Sequence, residues 1–194
     1  QHRVHVAPRA RGSVEVVQVT AGRRRLAQTG STPYILYKGS AAEAVDGSYI
    51  KGYSLSVDET YSTVTAAVYA GLGEIRTVAV PVPTNFLNNW SHVAASYDGT
   101  SLTVEVNTLD TATGAFSSAT QSQTFGSLKL NNANYYQHPL TVGHGFIGRV
   151  DEVTVVRNAL TAADVHAQAF CSPGRIASHL AFYAGFNEKP PTVG

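Results

Sequence analysis

Residues 90–107, WSHVAASYDGTSLTVEVN, alternate apolar and polar side chains on either side of one turn pair. Val93, Ala95 and Tyr97 fall on one face of the first half, and Leu102, Val104 and Val106 on one face of the second. A period of two is that of a strand with one buried face. Asp98-Gly99 supplies the reversal, because Gly tolerates positive φ and Asp bonds nearby backbone N–H groups. The segment is a predicted β-hairpin, with an apolar face toward a core and a polar face of Ser, Thr and Glu.

Most of the remaining chain follows the same rule. Residues 12–21 are Val-rich and roughly alternating, and 33–39 are short, apolar and closed by Gly39. Residues 47–58 alternate through Tyr53, Leu55 and Val57. Residues 61–71 and 74–82 flank Gly71-Leu72-Gly73 and read as a second hairpin. Strand patterning returns at 137–157 and 179–188, whereas 108–125, rich in Ser, Thr, Ala and Gln, reads as a long loop or a weak edge strand. One helix is expected at 161–170, where Thr161 and Asp164 make a capping-box-like start. Roughly ten strands with turn signals every 8–12 residues indicate an all-β antiparallel sandwich or barrel.

Charge and cysteine content narrow the function classes. Residues 1–51 hold eight Lys/Arg and three Asp/Glu, net +5, while the rest holds six and ten, net −4. Arg23-Arg24-Arg25, with Arg3, Arg9 and Arg11 upstream, is read as a solvated loop rather than a nucleic-acid surface, which pairs a larger basic patch with aromatics. No apolar run approaches the ~20 residues of a membrane span. Cys171 is the single cysteine and cannot form an internal disulfide or a cysteine-based zinc cluster. The chain begins with Gln and contains no Met, so it is expected to be a processed or partial piece of a longer protein.

A set of short motifs resembles the laminin-G-like, concanavalin A-like jelly-roll family. They are Trp90, His92, Val93 and Ala94; Tyr97-Asp98-Gly99; Leu102 and Val104; Leu140, Val142 and Gly143. Next come Phe146, Gly148, Val150, Asp151, Glu152 and Val153, then Ala159-Leu160-Thr161 with Asp164. Upstream, Ile35, Leu36, Lys38 and Gly39 match a further strand of the pattern. The match spans roughly residues 14–168 and departs in two places, at Thr108 after Asn107 where the family often has Gly, and at the closing segment 180–188. The resemblance implies a β-sandwich of the jelly-roll type with ten or more strands and one short helix. Residues 1–12 are then an N-terminal arm and 13–170 the jelly roll. Residues 171–194 are a closing strand or the start of a following domain. The resemblance also places the chain outside the cell or at its surface, and it implies a half-buried Trp90 at the start of a core strand.

The chemistry-bearing residues point to binding rather than catalysis. Some family relatives are glucanases, and glycoside hydrolysis needs two carboxylates roughly 5–9.5 Å apart. Asp151 and Glu152 are adjacent on a strand, so they point to opposite faces, and Arg149 stands where a nucleophile is expected. No catalytic residue is assigned, and the chain is expected not to be an enzyme. The apolar parity slips across Asp151-Glu152, as a β-bulge or a strand buried on both faces allows. Asp151 either accepts backbone or arginine hydrogen bonds or contributes to a Ca²⁺ site, the one cofactor that the resemblance implies. His138 and His144 flank one strand without a third zinc ligand, and His92 reads as packed.

For ligand contact the loop residues Tyr135 and Tyr136, with Asn131, Asn132 and Asn134 beside them, and Tyr61 are the sequence candidates. Asn89-Trp90-Ser91 is an N-glycosylation sequon, with Asn89 the acceptor. The expected function is a non-catalytic extracellular recognition domain of a larger protein, binding a glycan or an extracellular protein. The alternative is a structural block of an extracellular or cell-surface assembly, contacting neighbouring domains or chains. A glycoside hydrolase ranks third, and neither nucleic acid nor membrane insertion is expected.

Overall fold

The computed structural model describes residues 13–21, 32–39, 51–69, 75–126, 139–170 and 180–185. Eleven strands and one helix are found there: β1 (Ser13–Ala21), β2 (Tyr34–Gly39), β3 (Lys51–Val57), β4 (Thr63–Tyr69), β5 (Ile75–Pro81), β6 (Trp90–Tyr97), β7 (Ser101–Leu109), β8 (Phe116–Thr124), β9 (Leu140–Val142), β10 (Gly148–Val156), α1 (Ala162–Phe170) and β11 (Leu180–Ala184). They form two antiparallel sheets, one ordered β11-β10-β1-β6-β7-β8 and the other β5-β4-β3-β2-β9. This is the β-sandwich of a jelly roll that the family resemblance implies, and of the sandwich and barrel left open by the strand pattern it is the sandwich. β11 pairs with β10 at one edge of the larger sheet.

The core lies between the sheets. Ile35, Leu36, Leu55, Val64 and Val80 from the smaller sheet meet Val93, Tyr97, Leu102, Val104, Val106 and Val153 from the larger. The reversals follow local chemistry. Asp98 Oδ1 accepts the N–H groups of Thr100 and Ser101, and Gly99 takes φ +100°. Between β3 and β4, Asp58 Oδ1 accepts the N–H groups of Ser62 and Thr63. Of the two readings for residues 108–125, the edge strand holds, with a turn at 110–115. β7 continues to Leu109, and β8 pairs with it from Ser101↔Thr124 to Leu109↔Phe116 as the edge strand.

The parity slip in β10 is a β-bulge. Val16 faces Thr154 but Gln18 faces Asp151, so β10 carries one extra residue there. Glu152 takes φ +52° at that point. The bulge lets Val150 and Val153 both pack toward the core while Asp151 and Thr154 face outward.

The capping box of α1 is formed. Thr161 N–H and hydroxyl both donate to Asp164 Oδ2, and the Asp164 N–H donates to Thr161 Oγ1. The helix docks on the outward face of the larger sheet, where Val165 packs with Ala94 and Val156, flanked by Leu160 and Leu180. That docking corrects one expectation. The second face of the β6–β7 hairpin is not a solvated polar face, because Ala94, His92, Glu105 and Asn107 are all buried there.

Candidate functional site on the outward face of the larger sheet

In β6 the core-facing residues are Ser91, Val93, Ala95 and Tyr97, so Trp90, His92 and Ala94 face outward. In β7 the outward residues are Thr103, Glu105, Asn107 and Leu109. Registration places Ser91 against Thr108 and Leu109 against Phe116. Trp90, one step beyond the Ser91–Thr108 pair, therefore lies in a row with Leu109 and Phe116 across three adjacent strands. All three are exposed, Trp90 and Leu109 at 42% and Phe116 at 38%. Directly opposed cross-strand side chains have Cβ atoms about 5 Å apart, so the row is one continuous apolar strip. Trp90 opens β6, the start of a core strand that the resemblance implies, and its side chain lies on the outward face at 42% exposure. It shares the parity of the outward face.

The ends of the strands carrying the strip are fixed by hydrogen bonds. Ser91 and Thr108 hydroxyls meet at 2.7 Å on the core side. Asn89 Nδ2 donates to the Asn85 carbonyl at 2.7 Å, while Asn89 Oδ1 accepts the Thr111 hydroxyl at 3.4 Å, which ties the 85–89 loop to the β7–β8 turn. His166 of α1 stands edge-on to the Phe116 ring, 5.6 Å between centroids. Asn89 and Thr111 at one end, and exposed Ser118 along β8, give the strip a polar rim.

The same row extends in the other direction. Thr20 of β1 is registered with Trp90 on one side and Arg149 of β10 on the other. Arg149 is exposed and outward-facing, in phase with Asp151 and out of phase with core-packed Val150.

Behind the strip lies a buried polar row. His92 is 4% exposed and is registered with Asn107, whose Nδ2 donates to Glu105 Oε1. Neither ring nitrogen of His92 has a hydrogen-bond partner among the described residues, nor does Asn107 Oδ1. Burial, helped by the charge of nearby His166, lowers the His92 pKa from 6.5 to about 4, so its ring is neutral at pH 7.

A second aromatic group sits on the smaller sheet. Tyr34 and Tyr37 meet edge-on at 5.0 Å, and Tyr37 meets His144 at 5.9 Å. Gly143 and Gly145 take φ of +74° and +68°, and the His144 carbonyl accepts the Tyr34 N–H.

The sequence candidates fare differently. Tyr61 is a core residue at 6% exposure. Its hydroxyl accepts the Ile147 N–H at 2.7 Å and its ring packs against Phe146, so it is withdrawn as a ligand contact. Tyr135, Tyr136, Asn131, Asn132 and Asn134 lie outside the described residues, as does Cys171. Asp151 Oδ1 accepts the N–H of Glu152, and Glu152 Oε2 accepts the Tyr183 hydroxyl at 2.5 Å. Among the described residues no group of three or more His, Cys, Asp or Glu side chains is placed to hold a metal ion. Leu109, Phe116 and Arg149 were not among the sequence candidates. The signal for Trp90 and Leu109 was apolar character on the polar parity of the hairpin.

Among the described residues no helix is long and apolar enough to cross a membrane. No curated protein matches the chain by sequence. Solved structures share its fold. The enzymatically active domain of tailspike protein 2 of bacteriophage CBA120 is 15% identical with a TM-score of 0.58, covering 92% of this chain and 27% of that one. The receptor-binding domain of botulinum neurotoxin mosaic serotype C/D is 10% identical with a TM-score of 0.52, covering 82% and 36%. The binding domain of botulinum neurotoxin serotype G is 9% identical with a TM-score of 0.53, also covering 82% and 36%. This chain thus spans about a third or less of the chains it resembles. A sequence profile matches residues 24–166, which is most of the chain, and the chain belongs to the concanavalin A-like lectin/glucanases superfamily.

Proposed function

We propose that this domain is a non-catalytic recognition module of a larger extracellular or surface protein, and that it binds glycan across Trp90, Leu109 and Phe116. The carrying observation is the exposed apolar row on a rigid sheet. Sugar rings present apolar C–H faces and a polar periphery, which suits a flat aromatic strip with amide and hydroxyl groups at its rim. The carboxylates support the non-catalytic part. Glu105 is buried against Asn107, Asp151 is turned to a backbone N–H, and Glu152 is engaged by Tyr183. The fold neighbours named as binding domains are compatible with this reading, and the tailspike neighbour keeps an enzyme in view as the competing one.

Trp90 is the chain's only tryptophan, so its fluorescence reports on the site directly. A glycan array on the folded domain, followed by titration of its hits, is expected to show saturable binding with a change in Trp90 emission. Trp90→Ala should abolish it. Binding that survives Trp90→Ala but is lost in Tyr135→Ala/Tyr136→Ala would move the site to the 131–138 loop, and a silent array would overturn the glycan reading.

A second reading, a structural block in an assembly, is favoured by β8. Its sequence FSSATQSQT is an edge strand of nine residues without Pro or charge, the usual guards against strand addition. A partner strand could pair there.

A further inference from the structure

We infer that the glycan taken by this strip is anionic, with a carboxylate or sulfate group held by Arg149. The inference rests on the glycan reading above and deepens it. Thr20 is the register position that joins Arg149 to Trp90, so one transverse row runs Arg149, Thr20, Trp90, Leu109, Phe116. It crosses five strands, roughly 19 Å by strand spacing. That is room for a linear oligosaccharide lying perpendicular to the strands, with rings over Trp90 and Phe116. Arg149 then lies about 10 Å from Trp90 along the same line.

Arg149 is exposed and has no hydrogen-bond or ion-pair partner among the described residues. An exposed guanidinium is a two-pronged donor, matched in shape to a carboxylate or sulfate. Asp151, the next outward residue of β10, lies along the strand rather than along the row, and its Oδ1 is occupied by the Glu152 N–H. It therefore repels an anion displaced toward α1 and favours one aligned with the row.

The test titrates the folded domain with three hexasaccharides: polygalacturonate for carboxylate, a heparin fragment for sulfate, and maltohexaose as the neutral probe. At low ionic strength at least one charged probe should bind about tenfold tighter than the neutral one, as a charge-assisted pair gives. The advantage should shrink with added salt. Arg149→Gln should reduce it to about twofold or less, and Arg149→Lys should keep part of it. Thermal melts of each variant confirm folding. Equal binding of charged and neutral probes, or an advantage unchanged by Arg149→Gln, would overturn the anion inference and leave the glycan reading standing. No binding of any probe by the folded parent domain would overturn both.

Discussion

Lowering the pH should destabilise this domain in a window set by one buried residue. His92 is neutral when folded, with a pKa near 4, against 6.5 for an exposed histidine. Between these values the unfolded chain binds a proton that the folded chain refuses. Stability contributed by His92 is thus complete above pH 6.5, declines as pH falls toward 4, and falls no further below that. The gap of about 2.5 pH units, at 1.36 kcal/mol each, comes to about 3 kcal/mol. For a chain of this size that is a fall in Tm of about 6–12 °C.

Other groups titrate in different places. Asp98 is held below its usual value of 3.8 by the N–H groups of Ser101 and Thr100 and by the Thr100 hydroxyl. Asp164 is held below it by Thr161. Their stabilisation is present above 3.8 and lost only as pH falls through their lower folded values, beneath the His92 window. The assay is urea unfolding at pH 7, 6, 5 and 4.5 on the parent chain and on His92→Leu. The variant removes two unpartnered ring nitrogens, so at pH 7 it should be no less stable than the parent by more than about 1 kcal/mol. Its advantage over the parent should grow by about 2 kcal/mol or more at pH 4.5. Groups that do not interact with His92 cancel in that difference. A difference that stays constant within about 0.5 kcal/mol across the series would refute the reasoning.

Two further expectations concern local structure. Gly99→Ala should cost about 1–2 kcal/mol in urea unfolding, because the residue sits at φ +100° although an added Cβ would touch nothing; no measurable change would mean that the Asp98 turn relaxes. Thr161→Ala removes the hydroxyl that accepts the Asp164 N–H and should cost about 1 kcal/mol, seen in the same assay together with weaker hydrogen-exchange protection across α1.

The fold was legible because its signals are local. The alternation of Val93, Ala95, Tyr97 and Leu102, Val104, Val106, the Asp98-Gly99 turn and the Thr161/Asp164 cap each act within a few residues. Even the β10 bulge left a trace in the broken parity at Asp151-Glu152. What was not legible depends on which elements lie on which face. Sequence parity puts His92, Glu105 and Asn107 on a polar face, but in the fold all three are buried, on the face where α1 docks. Tyr61 looked like a loop aromatic because it precedes a strand, and its burial comes from Ile147 and Phe146, 86 and 85 residues away.

The same reasoning explains why the candidate site lies where it does. α1 packs Val165 on Ala94 and Val156 and sets His166 edge-on to Phe116, yet Trp90, Leu109 and Phe116 stay exposed at the ends of β6, β7 and β8. A sheet face left to solvent is ordinarily polar, as in exposed Ser118, Thr120, Ser122 and Thr124 of β8. Trp90, Leu109 and Phe116 break that rule together, in one registered row rather than as scattered residues. A row that costs solubility and adds nothing to the core is hard to account for by folding alone. Function follows more readily, because the exposed strip is held by strands whose registers are set by the core behind them. Removing the strip with Trp90→Ala should leave unfolding nearly unchanged while removing binding, and that separation distinguishes a recognition surface from a packing residue.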